Sequence, residues 1–185
     1  MGRAAAGNGE ISRNLGLSAT PRPFEERYLP VMQQAWRAFL GTPGSGHGVQ
    51  IYARDRELVE SVVAYVAAGW QRDEPAVLVA TPAHLDLFRE GLEALGWDDA
   101  ELADRGLLVW ADAEETLSAL ADEGTLSRRR FDAVIGGLID GVSGPDGRPA
   151  RVFGEMVDLL AGQGRLDEAM ALEDLWIDAA DRRPF

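Results

Sequence analysis

The stretch Ala76–Ala80, AVLVA, narrows the accessible folds more than any other part of this chain. It is an unbroken apolar run set between Glu74-Pro75 and Thr81-Pro82. A strand with one wet face alternates apolar and polar residues, whereas a strand apolar at every position is buried on both faces, as in a parallel sheet covered by helices. The next residues agree. Thr81 offers a cap and Pro82 a first-turn proline for a helix carrying Leu85, Phe88, Leu92 and Leu95 on one side.

The same alternation of strand and helix runs along the chain. Gly48–Tyr52 reads as an opening strand, followed by a helix capped by Asp55 with an apolar stripe of Leu58, Val59, Val62, Val63 and Val66. Leu107–Trp110 reads as a strand, Asp112 and Glu115 as a capping box, and Gly124 as the end of that helix. Phe131, Val134, Ile135, Leu138 and Ile139 recur at helical spacing. After the turn SGPDG, Ala150–Phe153 is a fourth strand. Gly154-Glu155-Met156 then opens a final helical region divided at Gly162 and Gly164, with Leu166, Met170, Leu175 and Trp176 as its apolar positions. The expected fold is a three-layer α/β domain with a mainly parallel sheet and helices on both faces. Residues 1–22 are expected to form a flexible tail. Residues 23–46 read as a short helix over 30–40, bearing Val31, Ala35, Trp36 and Phe39, and a glycine-rich linker; residues 47–185 form the domain.

Composition removes several chemistries. Cysteine is absent, and with it disulfides, thiolate nucleophiles and Cys-based metal sites. Lysine is absent too, so no Schiff-base or phosphate-loop lysine is available. A net charge of −13 opposes nucleic-acid binding, whose phosphate contacts need a cationic surface. Arg128-Arg129-Arg130, the only basic run, reads as a solvated helix start. The chain lacks both a membrane-length apolar run and the apolar region of a signal peptide, so a soluble, cytoplasmic protein is expected. No G-x-S-x-G elbow occurs, and His47 and His84 show no metal-ligand spacing; His84, at a helix start, reads as solvated. Nothing compels an enzyme, a metal or a cofactor.

What remains are residues at the carboxyl ends of the strands, where open α/β sheets bind ligands. They are Tyr52, Arg54 and Asp55 after the first strand, Thr81 after the second, and Glu155 and Met156 after the fourth, with His47 at the start of the first. Glu155 can equally be a capping carboxylate at a helix N-terminus. Both roles stay open.

The strand beginning at His47 and ending at Tyr52, the stretch PAVLVATP, and the block RVFGEMVDLL followed by LDEAMALEDLW resemble the MEDS domain, the sensory domain named for methanogens, methylotrophs and the repressor of dichloromethane metabolism. Phe153–Met156 and Leu172–Trp176 are the most specific part of the likeness, which covers residues 47–185. The resemblance implies a RecA/KaiC-like core without its nucleotide-binding motifs. YARDREL stands where such a core has a glycine-lysine loop, Ala80-Thr81-Pro82 where it has catalytic glutamates, and Gly154-Glu155 at the position of a Walker B aspartate. It further implies a non-catalytic sensory domain that binds a small molecule and signals to a protein partner, with Tyr52 and Trp176 as apolar walls and His47 and Glu155 as hydrogen-bonding groups. The alternative is a ligand-free interaction module in a partner-switching or anti-sigma-type circuit. Neither reading involves nucleic acid or a membrane, and both leave room for a homo-oligomer. The family's final apolar strand is not seen before Phe185, which would leave the opening strand on an edge; residues 30–40 are expected to pack over it.

Overall fold

The computed structural model describes Ala38, residues 47–183 and Phe185. Ala38 is helical and exposed; the remaining expectations for residues 1–46, including packing of 30–40 over a sheet edge, lie outside the described residues. Helix α1 spans Asp55–Trp70, strand β1 Ala76–Ala80, α2 Pro82–Ala94 and α3 Asp99–Asp104. Strand β2, Leu108–Asp112, leads into α4, Ala113–Ala119. A small hairpin comes next, made of β3, Ala121–Asp122, and β4, Thr125–Leu126. Helix α5, Arg128–Phe131, continues through a π-helical turn, Asp132–Gly136, into α6, Gly137–Ser143. Strand β5, Arg151–Gly154, is followed by α7, Met156–Gly162, and α8, Leu166–Ala180.

The main sheet is parallel, in the order β2-β1-β5. β1 is central and buried at all five positions, as its unbroken apolar sequence requires. Its alternate side chains feed two separate cores. Ala76, Leu78 and Ala80 pack with Leu58, Val62, Val66 and Trp70 of α1 and Phe88 and Leu92 of α2. Val77 and Val79 pack on the opposite face with Ile135, Ile139, Met156, Leu160, Leu172 and Trp176. The result is an α/β fold whose parallel sheet is flanked by helices.

Several elements depart from the sequence reading. Gly48–Tyr52 is not a strand: Val49 and Ile51 are 67% and 95% exposed. An extended segment becomes a strand only where its N–H and C=O groups join a ladder. Here no ladder forms; the Gln50 side chain donates from Nε2 to the Ser61 hydroxyl on α1, 2.9 Å away, and a cavity lies between the segment and β5. Asp55 does not cap α1. It is the first helical residue, and Arg54 occupies the cap position with extended backbone. Gly124 does not end α4, which stops at Ala119. Glu123 and Gly124, at φ of 51° and 82°, form the turn of the β3–β4 hairpin, a conformation that favours glycine. The capping box after β2 is half made: the Glu115 N–H donates to Asp112 Oδ1 at 2.9 Å. The basic run behaves as read, exposed and paired with acids, Arg128 with Asp178 and Arg129 with Asp122.

Candidate functional site

β5 is one edge of the three-stranded sheet among the described residues, and a hollow of about 490 Å³ lies beside it. Its walls come from five parts of the chain. Residues 47–52 form one side, and Leu58, Ser61, Val62 and Tyr65 of α1, at helical spacing, form another. Val152–Glu155 supply the sheet edge, Val157, Asp158 and Ala161 come from α7, and Glu173 and Trp176 come from α8, with Phe185 beside them. The volume suits a small organic ligand.

Glu155 is fixed by the register of the sheet. Val79 pairs with Gly154, and the Glu155 N–H donates to the Val79 carbonyl at 2.9 Å, which brings the residue after β5 alongside the residue after β1. Its carboxylate is buried, 5% exposed. Oε2 accepts from the Thr81 N–H at 2.8 Å and from the Thr81 hydroxyl at 3.3 Å. Oε1 meets His84 Nδ1 at 2.5 Å. Glu155 occupies the N-cap position of α7 without making a side-chain cap bond. The capping role read from sequence is therefore not the one its carboxylate performs, and Thr81 likewise spends its hydroxyl on Glu155 instead of on α2.

His84 joins two acids. Its Nε2 lies 3.6 Å from Asp55 Oδ1 while Nδ1 holds Glu155, and the ring is half-buried between Tyr52 and Phe88. The expectation of a solvated histidine fails here because the carboxyl ends of β1 and β5 bring Glu155 across to the first turn of α2. A detectable signal existed in the sequence: His84 follows Thr81 by three residues, so both face the strand ends.

Tyr52 stands at the cavity wall with its hydroxyl bonded to the Asp158 carboxylate. Burial, reinforced by Asp158, Glu155 and Asp55, pushes the phenol up to about 12. His47 lines the hollow from the start of the same segment, its Nε2 2.9 Å from Glu173 Oε1. Trp176 packs edge-on against Phe131 and Phe185, with ring centroids 5.1 and 6.0 Å apart. Its ring also lies against Gly154, where a Cβ would come within 2.9 Å of Cζ2. Gly154 leaves the space that Trp176 fills.

Of the residues singled out from sequence, His47, Tyr52, Glu155 and Trp176 line the one hollow. Thr81 and Asp55 stand behind it, through Glu155 and His84. Arg54 is turned to Glu57 on the exposed start of α1, and Met156 is fully buried in the core that Val77 and Val79 enter. Neither belongs to the lining. Sequence reading passed over Asp158, Glu173 and Tyr65. Asp158 follows Glu155 by three residues and Glu173 precedes Trp176 by three, the helical spacing that places each pair on one side. The Tyr65 hydroxyl bonds the Val152 backbone on β5, and burial drives its pKa upward.

Among the described residues no group of three or more His, Asp or Glu side chains is placed to hold a metal ion, and no helix is long and apolar enough to cross a membrane. No curated protein and no solved structure matches the chain. One family model does, over residues 46–185, a span that holds the cavity, Glu155 with its partners, and the whole sheet. The chain therefore belongs to the MEDS family, described as the MEthanogen/methylotroph, DcmR Sensory domain.

Proposed function

We propose that this chain is a non-catalytic sensory domain that takes up a small molecule in the hollow beside β5 and passes the event to a protein partner, in a signalling or transcription-regulating circuit of the cytoplasm. The observation that carries the reading is the convergence of His47, Tyr52, Glu155 and Trp176 on a single cavity of about 490 Å³, although they lie far apart in sequence. Membership of a sensory family gives it context. The finer fold assignment, a RecA/KaiC-like sheet lacking its nucleotide loop and its last strand, belongs to the same proposal. The turn before α1, Ala53-Arg54-Asp55, carries no lysine and no glycine, and it lies beside the carboxylates of Glu57, Asp55 and Glu155. A phosphate chain would meet acids there.

Glu155, His84 and Asp55 resemble a proton relay, but the relay ends without a nucleophile: the hydroxyl nearest Glu155 is Thr81, which already donates to it. The arrangement fixes a buried carboxylate and links α1, α2 and α7, which suits a route by which an occupied cavity alters the helix surfaces.

Native mass spectrometry of protein purified from its own host tests the reading. It should reveal a bound small molecule, and Glu155→Gln should lower its occupancy more than it lowers the melting temperature. Magnesium-ATP at millimolar concentration should leave the melting temperature unchanged, whereas a ligand at 100 times its Kd would add about 2.7 kcal/mol. A clear ATP-dependent rise would reject the assignment, as would a ligand-free protein whose cavity is filled by side chains.

A further inference from the structure

The polar part of the cavity lining is predominantly acidic. Glu155, Asp158 and Glu173 face the hollow; against them stands one imidazole, His47, which is already paired with Glu173. No arginine lines the hollow among the described residues, and the chain has no lysine. The nearest cation along β5, Arg151, opens the strand at the end opposite Glu155, is buried with Glu74 at 2.7 Å and stacks over the Tyr65 ring at 4.7 Å. The remaining wall is apolar, with Ile51, Val152, Val157, Ala161 and Trp176. The hollow is partly open to solvent but walled from several elements, so a charge placed in it is partly stripped of water.

Tyr52 stands in the same field: burial together with Asp158, Glu155 and Asp55 holds its phenol well above its ordinary range. The same surroundings that oppose a phenolate oppose any other anion. An anion would lose hydration and gain like-charge neighbours, whereas an ammonium group gains carboxylate partners while its hydrocarbon body covers Trp176 and Val152.

Resting on the reading of this hollow as a ligand site, we propose that it selects organic cations: amines with an apolar body, in preference to alcohols of the same shape and to the exclusion of carboxylates and phosphates. Asp158 and Glu173 are the selecting groups, since each lines the hollow and carries a single described partner. Glu155 is already committed to Thr81 and His84 and contributes chiefly field.

The test uses the full chain and three probes of nearly one shape: 2-phenylethylammonium, 2-phenylethanol and phenylacetate. Titration calorimetry gives affinities, and amide shifts of Gly154 and Glu155 in nitrogen-15 spectra locate the binding. The ammonium ion should bind at least about tenfold more tightly than the alcohol, the scale of one partly desolvated charge pair. Phenylacetate should not bind, and the preference should shrink with added salt. Asp158→Asn should reduce the preference while leaving the alcohol's affinity in place; should that variant fail to fold, the three-probe comparison on the wild type still decides. If the alcohol or phenylacetate binds as tightly as the amine, with shifts at Gly154 and Glu155, charge selection is overturned while the cavity remains a ligand site. If none of the three shifts those residues, the ligand-site reading and this proposal fall together.

Discussion

Replacing Gly154 by alanine tests the packing on which the site depends. Gly154 is not among the glycines at positive φ, so an alanine there incurs no backbone penalty, and any cost is steric. The added Cβ would sit 2.9 Å from Trp176 Cζ2, 3.6 Å from Cε2 and 3.7 Å from Cη2. The first distance is well inside the 3.5–4.0 Å at which carbon atoms rest. Trp176 has little room to retreat, because it is 5% exposed and meets Phe131 and Phe185 edge-on. Overpacking of this kind costs about 1–3 kcal/mol. For a chain of this length that is a fall of roughly 3–10 °C in melting temperature. Gly162→Ala is the matched control: a Cβ there meets nothing within 4 Å and φ is ordinary, so the variant should be neutral or more stable by up to about 1 kcal/mol. Thermal melts followed by circular dichroism give both numbers. Pairing Gly154→Ala with Trp176→Leu should recover part of the loss as a coupling between the two positions. A Gly154→Ala protein that melts with the wild type, or a double variant whose effects simply add, would refute the claim that Trp176 is wedged against the strand.

Three further outcomes rest on buried charge. Burial opposes ionisation of Glu74, but hydrogen bonds from Arg72 and Arg151 prevail and hold its carboxyl below the usual range, so its contribution to stability is present above the ordinary glutamate pKa and is lost as pH falls through the depressed one. Glu74→Ala should cost about 3–5 kcal/mol in denaturant titrations at neutral pH, because it leaves the buried Arg151 guanidinium without its carboxylate; a loss under 1 kcal/mol would contradict that pairing. In a spectrophotometric titration Tyr52 should ionise near 12, and its absorbance step should vanish in Tyr52→Phe and move down in Asp158→Asn. As the folded value is raised, the associated stability is complete below the ordinary tyrosine pKa near 10 and disappears between about 10 and 12.

The sequence by itself determined the layers and the family. AVLVA had to be a strand covered on both faces, because no residue in it tolerates water, and it lies at the centre of the parallel sheet with Val77 and Val79 in one core and Leu78 in the other. The stripes of α1 and α2 were legible for a similar reason, helical spacing of apolar residues being a local property of the chain, whereas on α8 Leu166 and Met170, read as apolar positions, are exposed and Ala169, Leu172 and Ala179 are buried with Trp176. The F-G-E-M and L-E-x-L-W segments carried the family likeness, and they supply five of the cavity's residues, Phe153, Gly154, Glu155, Glu173 and Trp176. Only the tertiary structure decided what those residues do. Whether Gly48–Tyr52 forms a strand depends on whether β5 pairs with it, which no local pattern encodes, and the segment instead roofs a hollow. Whether Glu155 caps a helix or holds His84 depends on the register that sets it beside Thr81, 74 residues away. What His84 and Asp158 hold was not fixed locally either: a polar residue at a helix start is ordinary until a strand from elsewhere brings its partner across.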